Sequence, residues 1–466
     1  MKSLLIVSLI VFYVLLIITV VFCERKRPTE AMLWVLVVTL LPYLGAIIYL
    51  IFGSTFGIRV VSYFRKKRLK LKPNTVKNNK IENASFADQQ VIKFNTTYND
   101  SEITSYDDFK FYIDGVSHYS MLFEDIRNAK ECIFVEFYTI HNDEVGHAFV
   151  NELHNKALEG VRIIVLFDFI ANVKSPNSMF KPLIDAGAEV IRIKPYLTHY
   201  RSHRKIVTID HKISYIGGMN IGKQYANMAK VKNPWRDTQI RLVGGCTRIL
   251  DEYFLTDYLC CVKKKNYDSA FNSVSRMFNH REKLNNNICQ FVVGGVDNDK
   301  ESIKMCYLSM IMNAKSKIRI QTPYFIPDAS ILDALKTAAA TGVDIEIMIP
   351  GISASFFLDP VTNYYCGELL QYGAKIYKYN GYIHAKTMII DNEICCVGSV
   401  NMDMRSLMVD DEVCGVFYAN ELVSDYNYIF NKDIDNCTTY TLKMYNNRTK
   451  LERVKEGLYL LFAPIM

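Results

Sequence analysis

Residues 203–220 read HRKIVTIDHKISYIGGMN, and residues 384–401 read HAKTMIIDNEICCVGSVN. Both run His, any residue, Lys, four residues, Asp. Both close on a pair of small residues, one further residue and Asn. The flanking segments repeat as well. Asn128-Ala129-Lys130 matches Asn313-Ala314-Lys315 at an offset of 185 positions, Gly160 matches Gly342 at 182, and His203 matches His384 at 181. Three segments in the same order at a nearly constant offset indicate that one unit has been duplicated.

Each copy has the same grammar. A helix ends near Asn-Ala-Lys, an apolar strand follows, and an amphipathic helix runs to Gly160 or Gly342, where glycine suits the position after a helix end. Another apolar strand comes next. Alternating helix and buried strand predicts an α/β layered fold.

The motif's first residues read as strand. Side chains two apart on a strand share a face, so His203 goes with Lys205 and His384 with Lys386. Asp210 and Asp391 fall at the turn and are expected to hold a hairpin. The return strands end in Gly217, Gly218 and Asn220 in one copy and Gly398, Ser399 and Asn401 in the other. Small residues let backbone approach an anion, and Asn can donate to a phosphate oxygen. Two copies converging on an approximate twofold axis would suit a phosphodiester. Two lysines neutralise its oxygens and preformed donors hold the developing charge. One imidazole can attack phosphorus while the other moves protons. No cofactor or metal is needed. The i, i+4 pair His199 and His203 lacks a third ligand, so it does not read as a zinc site.

These motifs resemble the HKD motifs of the phospholipase D superfamily, and the chain at large is similar to the bacterial cardiolipin synthases within it. VEFYTIHNDEVG, QTPYFIPD, NPWRDT, NMDMRS and the final LYLLFAPIM carry the likeness between the motifs and beyond them. The resemblance implies two α/β units sharing one active site. It implies transfer of a phosphatidyl group through a phosphohistidine, two phosphatidylglycerol molecules giving cardiolipin and glycerol. The candidate catalytic set is then His203, Lys205, Asp210, His384, Lys386 and Asp391, with His203 the nucleophile and His384 the general acid/base. Asn220, Asn401 and Ser399 are candidate phosphate ligands. The family orients each His with an acid about thirty positions downstream, which gives Asp237 to His203 and Glu412 to His384. Hydrolysis by the same site, or another acceptor, is the alternative, and a non-catalytic scaffold would be expected to lack some of these residues. The implied partner is a phospholipid in a membrane, not a nucleic acid. The sequence departs from the family at Asp-His-Lys, where Gly often follows the Asp, and at MVDDEVC, where Asp410 and Asp411 stand in place of neutral residues.

The rest of the sequence bears on location. The chain has 466 residues, half of them hydrophobic, with a net charge of +7; its mean hydropathy is +0.04 and its pI about 8.6. Residues 3–22 and 31–53 are uncharged apolar runs of spanning length, the second interrupted by Pro42 and Gly45. A transmembrane hairpin over 1–58 is expected. Basic residues are sparse before the first run (Lys2), present between the runs (Arg25, Lys26, Arg27) and dense after the second (Arg59 to Lys72). That pattern puts both termini and the catalytic part in the cytoplasm of a multi-pass protein of the cell membrane. Residues 59–108 read as a basic juxtamembrane segment and linker, 109–270 as the first unit and 271–466 as the second. The 12 cysteines form no CxxC pair, and the apolar setting of Cys395-Cys396 reads as reduced thiols in a core.

Overall fold

The computed structural model of the chain describes residues 2–23, 28–41, 43–54, 86–194, 201–228, 234–274, 283–295, 298, 300–352, 356–418 and 420–463. Pro42, the basic residues 25–27 and 59–72, the stretch 73–85 and His199 lie outside the described residues.

In chain order the first half carries β1 (Ile103–Ser105), β2 (Asp108–Tyr112), β3 (Cys132–Phe137), β4 (Arg162–Asp168), β5 (Glu189–Ile193), β6 (Ile206–Ile209), β7 (Ile213–Gly217), β8 (Trp235–Arg236) and β9 (Gln239–Val243). The second half carries β10 (Ile288–Gly294), β11 (Lys317–Gln321), β12 (Phe325–Ile326), β13 (Asp344–Pro350), β14 (Lys375–Tyr379), β15 (Tyr382–Ile383), β16 (Thr387–Ile390), β17 (Ile394–Gly398), β18 (Met402–Asp403), β19 (Glu412–Phe417) and β20 (Cys437–Tyr440). One sheet runs β2-β9-β7-β6-β3-β4-β5 and the other β1-β10-β19-β17-β16-β11-β13-β14-β20. The duplication is visible here. The order β9-β7-β6-β3-β4-β5 recurs as β19-β17-β16-β11-β13-β14. In each copy the last three strands are parallel, joined by helical crossovers, and the others antiparallel.

Strands such as β3 and β4 are near-continuous apolar runs because both faces are covered. On one face of the first sheet Ile133, Val135 and Phe137 pack with Leu122 and Phe149 of the flanking helices Gly115–Asn128 and Glu144–Leu158. The second sheet repeats this with Ile318, Ile320, Ile345 and Ile347 against Tyr307 and Leu335. Of the remaining faces, that of β3 and β4 is covered by the helices Cys246–Cys261 and Tyr267–Val274, and the parts around β6 and β7 and around β16 and β17 meet each other. Ile206, Ile216 and Ile240 from the first sheet share a core with Ile389, Cys395, Val397 and Phe417 from the second. This interface fixes the two motif hairpins back to back.

The segment expected to be a linker is partly folded, and onto the other unit. From Phe86 to Thr97 it is helical and packs on the helix Ser302–Asn313. β1 then pairs antiparallel with β10 of the second sheet before β2 enters the first. The physical reason is the open edge of β10, whose unpaired backbone groups β1 satisfies. The second unit therefore includes residues that precede the first.

The N-terminal apolar runs are helical but segmented. Lys2–Ile18 is α-helical and Thr19–Cys23 a π-helical turn; the second run divides into Pro28–Leu40, Leu44–Ile48 and a π-helical turn Tyr49–Gly53. Among the described residues no helix is long and apolar enough to cross a membrane. Each expected span is thus divided between α-helical and π-helical stretches. They pack on one another through Leu16, Val20, Trp34, Val38, Ala46 and Tyr49.

Candidate active site

Each His-x-Lys stretch lies just before its strand rather than inside it, and each is laid against the other unit. Ser202 bridges to Asp411 in parallel, and the His203 N–H donates to the Asp411 carbonyl at 2.9 Å. In the second copy β15 pairs with β8, and the His384 N–H donates to the Arg236 carbonyl at 2.6 Å. The residue after each acceptor is the acid.

This docking crosses the expected pairs. Nδ1 of His203 lies 2.7 Å from Oε1 of Glu412, and Nδ1 of His384 lies 2.6 Å from Oδ2 of Asp237. Both carboxylates are fully buried. The assignment of Asp237 to His203 and Glu412 to His384 is therefore wrong: each acid serves the imidazole of the opposite unit. In its ionised form a carboxylate only accepts, and in that state each dyad carries the imidazole proton on Nδ1 and leaves Nε2 for chemistry.

The small residues of the motif serve these acids. A Cβ at Gly218 would sit 2.1 Å from Oδ1 of Asp237 and 3.0 Å from the His384 carbonyl, so only glycine lets that carboxylate reach its imidazole. Its counterpart Ser399 donates its hydroxyl to Glu412 and receives the Val413 N–H at 3.1 Å. With its hydroxyl given to Glu412, Ser399 is a carboxylate partner rather than a phosphate ligand.

A cavity of about 430 Å³ is lined by His203, His384, Asn220 and Asn401 together with Tyr138, Tyr225, Tyr324, Arg201, Arg405 and Asp410. A larger cavity, about 550 Å³, runs along β5 and the helix Cys246–Cys261 but contains no imidazole, so the chemistry is not there. Lys205 and Lys386 sit behind the histidines. Their Nζ atoms donate to the carbonyls of His203 and His384 at 2.6 and 2.5 Å. Asn220 is held by the Thr139 N–H and the Tyr225 hydroxyl. Asn401 keeps a buried Oδ1 without a hydrogen-bond partner.

Asp210 and Asp391 stand apart, at the far end of the hairpins. Asp210 accepts the N–H groups of Lys130, Glu131 and Cys132, and Asp391 those of Lys315, Ser316 and Lys317. The turn residues Asp210-His211 and Asp391-Asn392 all have φ between 51° and 59°. That is a tight turn with positive φ at both central positions, closed by the Lys212 N–H on the Ile209 carbonyl and the Glu393 N–H on the Ile390 carbonyl, a backbone that Asp, Asn and His tolerate better than most residues. Neither aspartate belongs with the catalytic group.

Several site residues carried little sequence signal. Tyr138 stands with its ring 4.8 Å from that of His203, and Trp235 5.1 Å from that of His384. Tyr138 and Tyr324 fall in repeated segments, which was the available clue. Two buried arginines brace the dyads. Arg204 donates to the Glu412 carbonyl at 3.2 Å and pairs with Asp257; Arg236 donates to the Asp237 carbonyl and pairs with Asp433 at 2.6 Å. Both aspartates come from the long helix that follows β9 or β19. Asp410 takes Nε and Nη2 of Arg405 at 2.8 and 3.2 Å. Asp411 contributes its backbone to the His203 stretch.

Burial dominates the electrostatics. It holds His203 well below the usual imidazole range, reinforced by Lys205 and Lys386, and lowers His384 to about 3 with help from Lys386. It brings Lys205 down to about 8 and Lys386 to about 7. Burial pushes Glu412 up to about 8 and Asp410 to about 7, against Lys205 and Arg405 respectively. Burial also pushes Asp237 up, but His384, Lys386 and the Thr238 N–H outweigh it and leave that carboxyl below its ordinary range. The site therefore holds neutral imidazoles beside easily deprotonated lysines, a setting in which an anion would be welcome.

The chain is similar to known proteins over its whole length. The family model described as "Cardiolipin synthase, PLD-like domain" matches residues 122–230 and 307–434, and one described as "Phospholipase_D-nuclease N-terminal" matches residues 11–54. The chain is 34% identical to a cardiolipin synthase of Oceanobacillus iheyensis over 100% of this chain and 99% of that one. It is 35% identical to one of Clostridium perfringens over 95% of each. Among solved structures, phosphatidylserine synthase of Haemophilus influenzae Rd KW20 has a TM-score of 0.60 at 15% identity, covering 81% of this chain and 98% of that one. That likeness bears on the fold alone. With the family model over half the chain and relatives matched end to end, the chain belongs to the cardiolipin synthase family of the phospholipase D superfamily.

Proposed function

We propose that the protein transfers a phosphatidyl group from one phosphatidylglycerol to another, forming cardiolipin and releasing glycerol. The observation that carries this reading is the pair of crossed dyads, His203–Glu412 and His384–Asp237, opening on one cavity. Nε2 of His203 attacks phosphorus and the bond from phosphorus to the headgroup glycerol oxygen breaks. His384 gives that oxygen its proton. A second phosphatidylglycerol then brings its terminal hydroxyl, His384 takes the proton back, and the oxygen displaces His203 as cardiolipin forms.

The unequal carboxylates support this division of labour. Asp237 is held ionised, so it stabilises an imidazolium at His384, which the proton carrier must become. Lys205, Lys386, Asn220 and Asn401 would hold the phosphodiester oxygens. Its negative charge opposes the burial that keeps His384 neutral, so the bound substrate arms its own acid. Asp210 and Asp391 act on the hairpins only.

The N-terminal residues are read as a membrane hairpin despite their segmentation. Each π-helical turn continues an apolar helix, and Val11, Phe12, Leu15, Phe22, Leu36 and Leu40 are exposed around the packed pair. Such an all-round apolar surface suits lipid. The basic residues after it favour both termini in the cytoplasm.

A product assay tests the function. Purified protein in mild detergent is given labelled phosphatidylglycerol, beside the His203→Ala variant. Cardiolipin and glycerol, absent with the variant, are expected. Phosphatidic acid alone would make water the acceptor and replace this reading with a hydrolase.

A further inference from the structure

The C-terminal helix Lys450–Leu460 wears its apolar side outward. Leu451, Val454, Leu458 and Leu461 recur at helical spacing, and with Phe462 each is more than half exposed. The opposite side is committed to the protein. Glu456 is buried and paired with Arg448, and Tyr459, Leu460 and Ala463 pack against Leu358, Val361 and Tyr365. The helix is also firmly begun, by a capping box between Thr449 and Glu452. The outward stripe is therefore a fixed feature, not a loose end that could turn its leucines inward.

Two further observations say what should cover it. First, the patch continues to the mouth of the site. Phe356 and Phe357, each also more than half exposed, pack edge-on against Tyr459, and the next residue, Leu358, lines the cavity that holds both histidines. Second, the stripe is flanked by cations. On a helical projection Lys450 and Lys455 fall on its two sides, and Lys455 Nζ sits 5.8 Å over the Phe356 ring. An apolar stripe bordered by lysines is the pattern of a helix lying in a lipid interface, its apolar side sunk by about 5–10 Å.

We propose that the C-terminal helix and Phe356-Phe357 form a docking surface for an anionic lipid leaflet, which presses the mouth of the cavity onto the membrane. This deepens the function proposed above and rests on it for the substrate. A diacyl lipid must put its phosphodiester between the histidines while its chains stay in an apolar phase. A surface continuous with the cavity lets it do so without drawing the chains into water. The N-terminal hairpin would tether the protein; this surface would orient it.

The test uses the full chain in vesicles of zwitterionic lipid with added phosphatidylglycerol, and the double variant Leu451→Ser/Leu458→Ser. The variant is expected to lose about tenfold or more of kcat/KM on vesicle phosphatidylglycerol while keeping its rate on a short-chain phosphatidylglycerol dispersed as monomers. Equal loss on both substrates, or loss on neither, overturns the proposal. A second measurement reads the contact without turnover. Leu458→Trp in a Trp34→Phe/Trp235→Phe background should give emission that brominated lipids quench and aqueous iodide does not. Quenching by iodide instead, or Leu458→Cys cross-linking between two copies, would mean that water or a second protein covers the patch. Failure of the wild type to form cardiolipin from either substrate would count against the function, while the quenching still reads the docking.

Discussion

His203 and Glu412 are 209 positions apart and belong to different halves of a duplicated chain, yet Nδ1 and Oε1 meet at 2.7 Å. The reciprocal pair, His384 and Asp237, meets at 2.6 Å. Neither half has a complete catalytic group: each holds an imidazole and the other's carboxylate. Glu412→Gln keeps the shape but can present an amide N–H to Nδ1, favouring the wrong tautomer. We expect kcat to fall by roughly 10³–10⁴, as in other His–carboxylate dyads, with the folded state intact. Asp237→Asn should cost as much. The two differ with an activated phosphodiester whose leaving group needs no proton. There Asp237→Asn should still release a burst of leaving group and trap a phosphohistidine at position 203, and Glu412→Gln should not. A burst from Glu412→Gln alone would exchange the roles of the two histidines.

The braces behind the dyads predict a different kind of damage. Arg236 is buried, donates to the Asp237 carbonyl and is paired with Asp433, which also accepts from Gln321. Asp433→Ala leaves a guanidinium buried without its counter-ion, a change that costs about 3–5 kcal/mol. The urea midpoint in detergent should move accordingly. Arg236→Lys keeps the charge but loses the planar fork that reaches carboxylate and carbonyl together. It is expected to lower kcat with little change in KM, and the pH profile should shift with it, since Asp237 would no longer be fixed against His384. An unchanged profile would make the pair purely structural.

How far the sequence reaches can be judged residue by residue. The repeat of His, Lys, Asp and Asn at a constant offset was enough to predict two α/β units, because periodic burial and turn chemistry are local properties. The crossing of the dyads was not legible. Asp237 lies 34 positions after His203 and Glu412 28 after His384, so chain distance favours pairs within each unit. What decides otherwise is the packing of Ile206 and Ile216 against Val397 and Phe417, which is a tertiary fact. Ser399 shows the same limit: its small size and hydroxyl are local facts, but that its partner is Glu412 rather than a phosphate is a tertiary one. β1 joined the sheet of the other unit because an edge needed covering, and no motif marks that. Arg204 carries no repeat signal, because its counterpart in the second copy is the apolar Ala385.

The aspartates of the motif should separate from its histidines in experiment. Asp391 accepts three backbone N–H groups and the Ser316 hydroxyl, and none of its partners lies in the cavity. Hydrogen bonds to a charged group contribute about 1.5–3 kcal/mol each when counted singly, and they are not additive. Asp391→Ala should therefore destabilise the protein by about 2–4 kcal/mol while the folded fraction keeps kcat within a few-fold of wild type. Thermal unfolding and active-site titration on one preparation would measure both. A large fall in kcat per folded molecule would return Asp391 to the chemistry.

The last prediction concerns how the site takes an anion. Lys386 and Lys205, lowered by burial to about 7 and about 8, lose their protons near neutrality. Glu412, raised by burial to about 8, gains its negative charge over the same range. Both changes oppose a bound anion as pH rises, so binding must be accompanied by proton uptake. Sulfate, which does not titrate here, is the suitable probe. As a competitive inhibitor it should bind most tightly at and below pH 7 and weaken toward pH 9, by about tenfold per pH unit for each proton taken up. Lys386→Arg keeps its charge throughout, so that variant should show a shallower decline. Sulfate affinity independent of pH over this interval would mean that the lysines stay charged without a ligand, and that the imidazoles rather than the ammonium groups answer to the incoming phosphate.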